Sequence, residues 1–273
     1  MIAMVLFSLV SAASAQPLPI RSSAGPDDPP APEDVKIGGD ARKRYLVHGG
    51  GKDAKAVASG WKVLVVMPGG DGSAEFAPFV GRIRENALGD DWLVVQIVAP
   101  VWEKEQAEKL VWPTKLNPWP KIDFTCEELF AAVLEDVGKT HKLDPKYLFT
   151  LAWSSSGSLA YTLGLQEKTP VTGTFVAMSV FKPENLPSLK EARGRSFYIL
   201  HSSEDFIPIK MAEDARDQLT KKGAKVEYAT YAGGHGWHGD VFGTIGKGIG
   251  WLEKQAKSPG ARPAKSSKSG STK

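Results

Sequence analysis

Apolar positions along the chain fall into short unbroken runs that alternate with longer segments of three-to-four spacing. "WKVLVVMP", from Trp61, and "WLVVQIVAP", from Trp92, are continuous apolar runs, the pattern of strands buried on both faces. "SAEFAPFVGRIRENAL" instead sets Phe76, Phe79, Val80, Ile83 and Leu88 at helical spacing. "DFTCEELFAAVLEDVGKTHKL" opens on Thr125 with Glu128 three residues later, a capping box, and predicts a long helix. Further strands are expected in "RKRYLV", "YLFTLAW", "TGTFVAMSV", "SFYILH" and "KVEYATY". Helices are expected after the serines at 154–156, in "IKMAEDARDQLTKKG" up to Gly223, and in the last apolar segment through "GIGWLEKQ". Strands alternating with helices predict an α/β fold with a mostly parallel sheet covered on both faces. Such sheets carry their sites at the carboxyl ends of the strands.

The two ends break this pattern. An apolar stretch, Ile2 to Val10, leads into Ala13-Ser14-Ala15, the small-x-small pattern of a cleavable signal. Residues 1–15 are therefore expected to be a signal peptide directing export to the periplasm or the exterior. The run is too short to span a bilayer, so no stable membrane insertion is expected once it is removed. Residues 16–35 are proline-rich and read as a linker, and residues 257–273 as a disordered basic tail. One domain, 36–256, remains.

Composition narrows the class. The 273 residues are 42% hydrophobic and 24% charged, ordinary for a globular protein. The net charge of +3 comes from the last 20 residues, which hold lysines and arginine but no acid. The body is net negative and shows no basic-aromatic pattern, which argues against nucleic acid as a partner. No glycine loop runs into a Lys-Ser/Thr pair, so a phosphate-cradling site is not indicated. Cys126 is the only cysteine, which excludes an internal disulfide and a cysteine metal cluster. At a helix start it reads as a small buried residue.

Three expected strand ends carry chemistry. In "YLFTLAWSSSGSLAYTLGL" a strand meets a helix at three serines. A tight strand-to-helix turn lifts a side chain above the sheet, and it needs small residues two before and two after. Ser154 has Ala152 and Ser156 there; Ser155 has the large Trp153; Ser156 delays the turn. Ser154 is the candidate nucleophile. In "FYILHSSEDFIP", Asp205 stands where a carboxylate reaches across the sheet edge, with Glu204 its rival. In "YAGGHGWHGD", His235 follows two glycines after a strand, and His238, expected on the first turn of the last helix, is the alternative. Serine, acid and histidine in that order are the parts of an activated nucleophile. An oxyanion also needs amide donors, expected from Ser155, through its backbone rather than its hydroxyl, and from Gly70 or Asp71 in "MPGGDGS". "HGGG", His48 to Gly51, has the letters of such a motif but lies one strand too early and reads as a hairpin turn. Trp112, Trp153 and Trp237 fall in or beside these loops and are candidates for a substrate pocket.

Together, "VLVVMPGGDGS", "YLFTLAWSSSGSLAY", "HSSEDFIP" and "YAGGHGW", in this order over about residues 42–253, resemble the α/β hydrolases of the phospholipase/carboxylesterase type. The chain is similar also to polyhydroxybutyrate depolymerase-like and feruloyl esterase-like secreted enzymes. Ala152 and Ser156 stand where the family usually has glycines, and Pro68-Gly69 where its oxyanion strand has His-Gly. The resemblance implies an α/β-hydrolase sheet of about eight strands, a Ser-Asp-His triad, and hydrolysis of small or polymer-derived esters with no cofactor and no metal. A non-catalytic or peptidase-like relative acting as a binding module is the alternative.

Overall fold

In the computed structural model, which describes residues 29–50 and 57–258, the apolar runs pair into one eight-stranded sheet. The strands are β1 (Glu33–Lys36), β2 (Arg44–His48), β3 (Trp61–Met67), β4 (Trp92–Ile97), β5 (Leu143–Trp153), β6 (Gly173–Ala177), β7 (Ser196–His201) and β8 (Lys225–Thr230). Their spatial order is β1-β2-β4-β3-β5-β6-β7-β8. The pairs β1–β2 and β2–β4 are antiparallel and all others parallel. β4, β6 and β7 are buried at every residue, as expected for runs with no polar alternation.

The described residues form six α-helices: α1 (Ala77–Asn86), α2 (Lys104–Lys109), α3 (Cys126–Thr140), α4 (Gly157–Leu165), α5 (Ile209–Lys221) and α6 (Val241–Lys257). One core layer joins α3, α4 and α5 to the sheet through Phe130, Val133, Leu159, Leu163 and Leu219. The other joins α1 and α6 through Val80, Ile83, Ile245, Ile249 and Leu252. The capping box opens α3 as its sequence predicts: Glu128 Oε2 accepts from the Thr125 amide at 2.7 Å, and Thr125 Oγ1 accepts from the Glu128 amide at 3.4 Å. Such a cap is worth about 1 kcal/mol. Cys126 is buried at the first turn of this helix.

Two expectations are corrected here. The fold begins before residue 36: β1 occupies the end of the stretch read as linker, and Arg44 grips Asp34 through two 2.8 Å contacts. The run is too short and too polar to stand out from its proline-rich surroundings; pairing with β2 makes it a strand. The segment from His48 is not a hairpin turn either. β2 pairs with β1 and β4, while β3 lies on the far side of β4, so Gly49 and Gly50 open a crossover connection. Gly51 lies outside the described residues, as do the expected signal, most of the linker and the tail after residue 258.

Candidate active site

The three serines at the end of β5 do three different things. β5 stays extended through Trp153, at φ −143 and ψ 152, and Ser154 then takes φ 55 before a single 3-10 turn leads into α4. A left-handed non-glycine residue is strained and persists only where its surroundings hold it. Here Ser156 holds it from below. Its buried hydroxyl accepts from the Trp153 amide at 3.1 Å and lies 2.6 Å from the Met67 carbonyl, tying the turn to β3. Ser179, just past β6, donates to the Ser154 carbonyl at 2.6 Å. A Cβ on Gly157 would fall 2.2 Å from Ser179 Oγ, so the close approach needs glycine there. Ser155 is exposed, and its hydroxyl donates to the Gly70 carbonyl at 2.8 Å.

Held in this way, Ser154 Oγ lies 2.8 Å from His235 Nε2. His235 Nδ1 lies 2.9 Å from both oxygens of Asp205, whose side chain is fully buried. Asp205 Oδ1 also accepts from the Ile207 amide at 2.7 Å, which fixes the carboxylate against its own loop. Buried His201 braces that loop, with Nε2 2.9 Å from the Ile207 carbonyl.

The histidine loop is clamped from three sides. Ser202 Oγ donates to the Gly233 carbonyl, and Glu204 Oε1 accepts from the Gly233 amide at 3.0 Å. Tyr231 donates to the Gly234 carbonyl at 3.2 Å. Burial, helped by the nearby Asp205 charge, pushes this phenol up to about 12, so it keeps the proton it donates. Glu204, the rival acid, is thus spent on the loop. His238 lies before α6 rather than on its first turn, because that helix starts at Val241, capped by Asp240. Its ring stacks on Tyr231 at 6.0 Å and packs against Gly233. Sequence reasoning missed Ser179, Ser202 and Tyr231, which lie one or two residues past β6, β7 and β8; the expected strands ran through Ser179 and Tyr231 and so gave no signal for them.

The glycine loop after β3 lies beside this turn. Gly70 has φ 59 and Gly72 φ 66, and the Gly72 amide donates to the Gly69 carbonyl at 3.0 Å. A Cβ on Gly69 would fall 2.5 Å from the Trp153 ring, which is why the two loops meet over glycine. The Asp71 carboxylate accepts from the Ser73 amide at 3.0 Å. Among the described residues, no hydrogen bond occupies the amides of Gly70 and Asp71.

The tryptophans do not form a shared open pocket. Trp112 is buried under Gly72 and Ala99, in the core layer of α3. Trp153 is buried on the opposite face of the sheet, edge-on to Phe76 and Phe79 at 5.7 Å, with the half-buried Trp237 at 5.8 Å. Trp112 and Trp153 thus contribute to the core, and Trp237 packs half-buried against Trp153. The open aromatic side chain at the site is Phe206, which the sequence pattern did not single out. It is 77% exposed, and its ring lies 4.3 Å from that of His235. Among the described residues, no group of three or more His, Cys, Asp or Glu is arranged to hold a metal.

No protein-family model and no curated protein sequence matches the chain. Solved structures match it in shape. A truncated carbohydrate esterase from gut microbiota superposes with a TM-score of 0.63 at 13% identity, over 86% of this chain and 99% of that one. A carboxylesterase from Mesorhizobium loti gives 0.58 at 14% identity, over 82% and 99%. A sugar hydrolase from Lactococcus lactis gives 0.56 at 16% identity, over 83% and 98%. With its strand order and crossover pattern, the chain has the α/β-hydrolase fold. At these identities the likeness establishes the fold and leaves the activity to the site.

Proposed function

We propose that the protein hydrolyses carboxylic esters through an acyl-enzyme on Ser154, with His235 as base and acid and Asp205 as its orienting carboxylate. The observation that carries this reading is the unbroken contact chain from Ser154 Oγ through His235 to Asp205, at 2.8 and 2.9 Å. A hydroxyl at that distance passes its proton to a neutral imidazole as its oxygen attacks. The carbonyl π electrons move onto oxygen as the Oγ–carbon bond forms. Collapse of this oxyanion breaks the carbon–alkoxy bond, and His235 returns the proton to the departing alcohol. Water, deprotonated by the same imidazole, then attacks the acyl group, and Ser154 leaves with the proton.

For the oxyanion we assign the amides of Ser155 and Gly70. The Gly70 carbonyl is turned toward Ser155. In a trans peptide the following N–H points the opposite way, so the Asp71 amide faces away from Ser155. The Gly70 amide belongs to the preceding peptide, whose carbonyl accepts from the Gly72 amide, and carries no hydrogen bond of its own among the described residues; on that ground we assign it to the oxyanion. Each such donor contributes about 3 kcal/mol in the transition state.

The substrate class we propose is a small or polymer-derived ester, a reading supported by carboxylesterases from Bacillus cereus and Lactobacillus plantarum among the structures sharing the fold. Export is proposed from the amino-terminal sequence alone, on Ile2 to Val10 and Ala13-Ser14-Ala15. The test is a series of p-nitrophenyl esters of increasing acyl length, run on the wild type and on Ser154→Ala. Turnover by the wild type and none by the variant is the expected result. Equal turnover by both rules the reading out.

A further inference from the structure

We infer that Phe206 is the contact surface for the alcohol half of the ester, and that the protein favours esters whose leaving alcohol carries a ring. The inference rests on the ester-hydrolase reading and adds to it a residue and a substrate class.

Three observations carry it. The first is exposure. Phe206 is 77% exposed, ahead of Val101 at 54% and Leu116 at 48%, the other large apolar side chains in the open among the described residues. A single exposed apolar residue needs no explanation by itself, so its place decides.

The second is place. The Phe206 ring lies 4.3 Å from the His235 imidazole, centroid to centroid, at an interplanar angle of 41°. Bond cleavage requires His235 Nε2 to give its proton to the alkoxy oxygen, which must then lie within about 3 Å of that nitrogen. The group carried by that oxygen therefore starts beside the imidazole against which Phe206 is packed. The acyl half is held elsewhere, at the Ser154 Oγ–carbon bond and facing Gly70 and Ser155. Of the two halves of the ester, the leaving half adjoins Phe206.

The third is rigidity. The backbone next to Phe206 is pinned: on the Ile207 side the amide by Asp205 at 2.7 Å and the carbonyl by His201 at 2.9 Å, and on the other side the Asp205 amide donates to the Ser202 carbonyl at 3.4 Å. An exposed ring on a fixed backbone binds without a loop-ordering penalty. It offers a ring-bearing alcohol an offset or edge contact in addition to area burial.

The test measures kcat/KM on two ester series, for the wild type, Phe206→Ala and Phe206→Trp. One series holds the acetyl group constant and compares ethyl with benzyl and cyclohexylmethyl alcohols, whose similar acidity removes leaving-group chemistry from the comparison. The other holds ethanol constant and lengthens the acyl chain. The inference expects the wild type to prefer benzyl over ethyl acetate. Phe206→Ala should lower that preference about tenfold, chiefly through KM, Phe206→Trp should keep it, and the acyl-chain preference should not move. A wild type without the benzyl preference overturns the inference. So does an equal loss on ethyl and benzyl acetate, or a shifted acid limb of kcat/KM in Phe206→Ala, either of which makes the ring a support for His235. In those cases turnover of ethyl acetate leaves the ester-hydrolase reading standing. No turnover of any ester by the folded wild type removes both.

Discussion

The Ser155 hydroxyl donates a 2.8 Å hydrogen bond to the Gly70 carbonyl, joining the turn that carries Ser154 to the glycine loop from β3. The two donors proposed for the oxyanion therefore sit on loops that brace each other. Ser155→Ala is expected to lower kcat about tenfold while KM changes less, because the contact it steadies is strongest in the transition state. This is a larger effect than the sequence alone suggests, where only the Ser155 amide has a role. Ser154→Ala is expected to lower kcat/KM by several orders of magnitude. Fluorophosphonate labelling followed by peptide mapping checks the frame: modification of Ser155 or Ser156 in place of Ser154 contradicts it.

His235 and His238 separate on kinetics. His235→Gln is expected to abolish turnover. Asp205→Asn, which favours the wrong imidazole tautomer, is expected to cost about 10³–10⁴-fold in kcat. His238→Gln removes the ring that stacks on Tyr231 and packs against Gly233, touches none of the three triad side chains, and should keep much of the rate. The comparison is kcat/KM against pH for the three variants, with the fall on acidification retained in His238→Gln. A fully active His235→Gln protein defeats the triad assignment.

Ser156 is a structural residue in a catalytic-looking row. Its hydroxyl is buried between the Met67 carbonyl and the Trp153 amide. Ser156→Ala leaves both groups without that partner and is expected to destabilise folding by about 1–3 kcal/mol. Urea unfolding, followed by tryptophan fluorescence, measures it. An unchanged midpoint would show that the turn does not depend on this hydroxyl.

The amino-terminal boundary is testable by trimming. A chain beginning at Ile37 lacks β1 and the Asp34–Arg44 pair, and exposes the edge of β2. It is expected to melt several degrees below one beginning at Pro29. Equal melting temperatures would return residues 29–36 to the linker.

His48 sets a pH window for stability. Burial depresses its imidazole to about 4, against an ordinary value of 6.5. Between those values the unfolded chain binds a proton that the folded chain refuses. The contribution of His48 is therefore complete above pH 6.5 and is lost as pH falls toward about 4, by roughly 3 kcal/mol at most. Replacing His48 by Phe should flatten the fall in thermal stability across this window. An unchanged slope would assign that fall to other groups.

By itself the sequence determined the layered α/β plan, the capped start of α3, and the order serine, acid, histidine at three strand ends. Hydrophobic period, small-residue spacing and cap chemistry act over a few residues, so they are legible locally. Neighbour size also separated the serines, since Trp153 leaves no room for a turn centred on Ser155, and it is Ser154 that faces His235. Tertiary structure alone decided the rest. β1 is a strand only because β2 offers it hydrogen bonds, and the glycines after β2 lead to a crossover only because β4 is inserted between β2 and β3. Glu204 differs from Asp205 in what each reaches: one accepts from Gly233, the other faces His235. Trp112 and Trp153 are core while Trp237 is half-buried, and the exposed ring is Phe206, because burial depends on what the rest of the chain packs against a side chain and not on the side chain's own hydrophobicity.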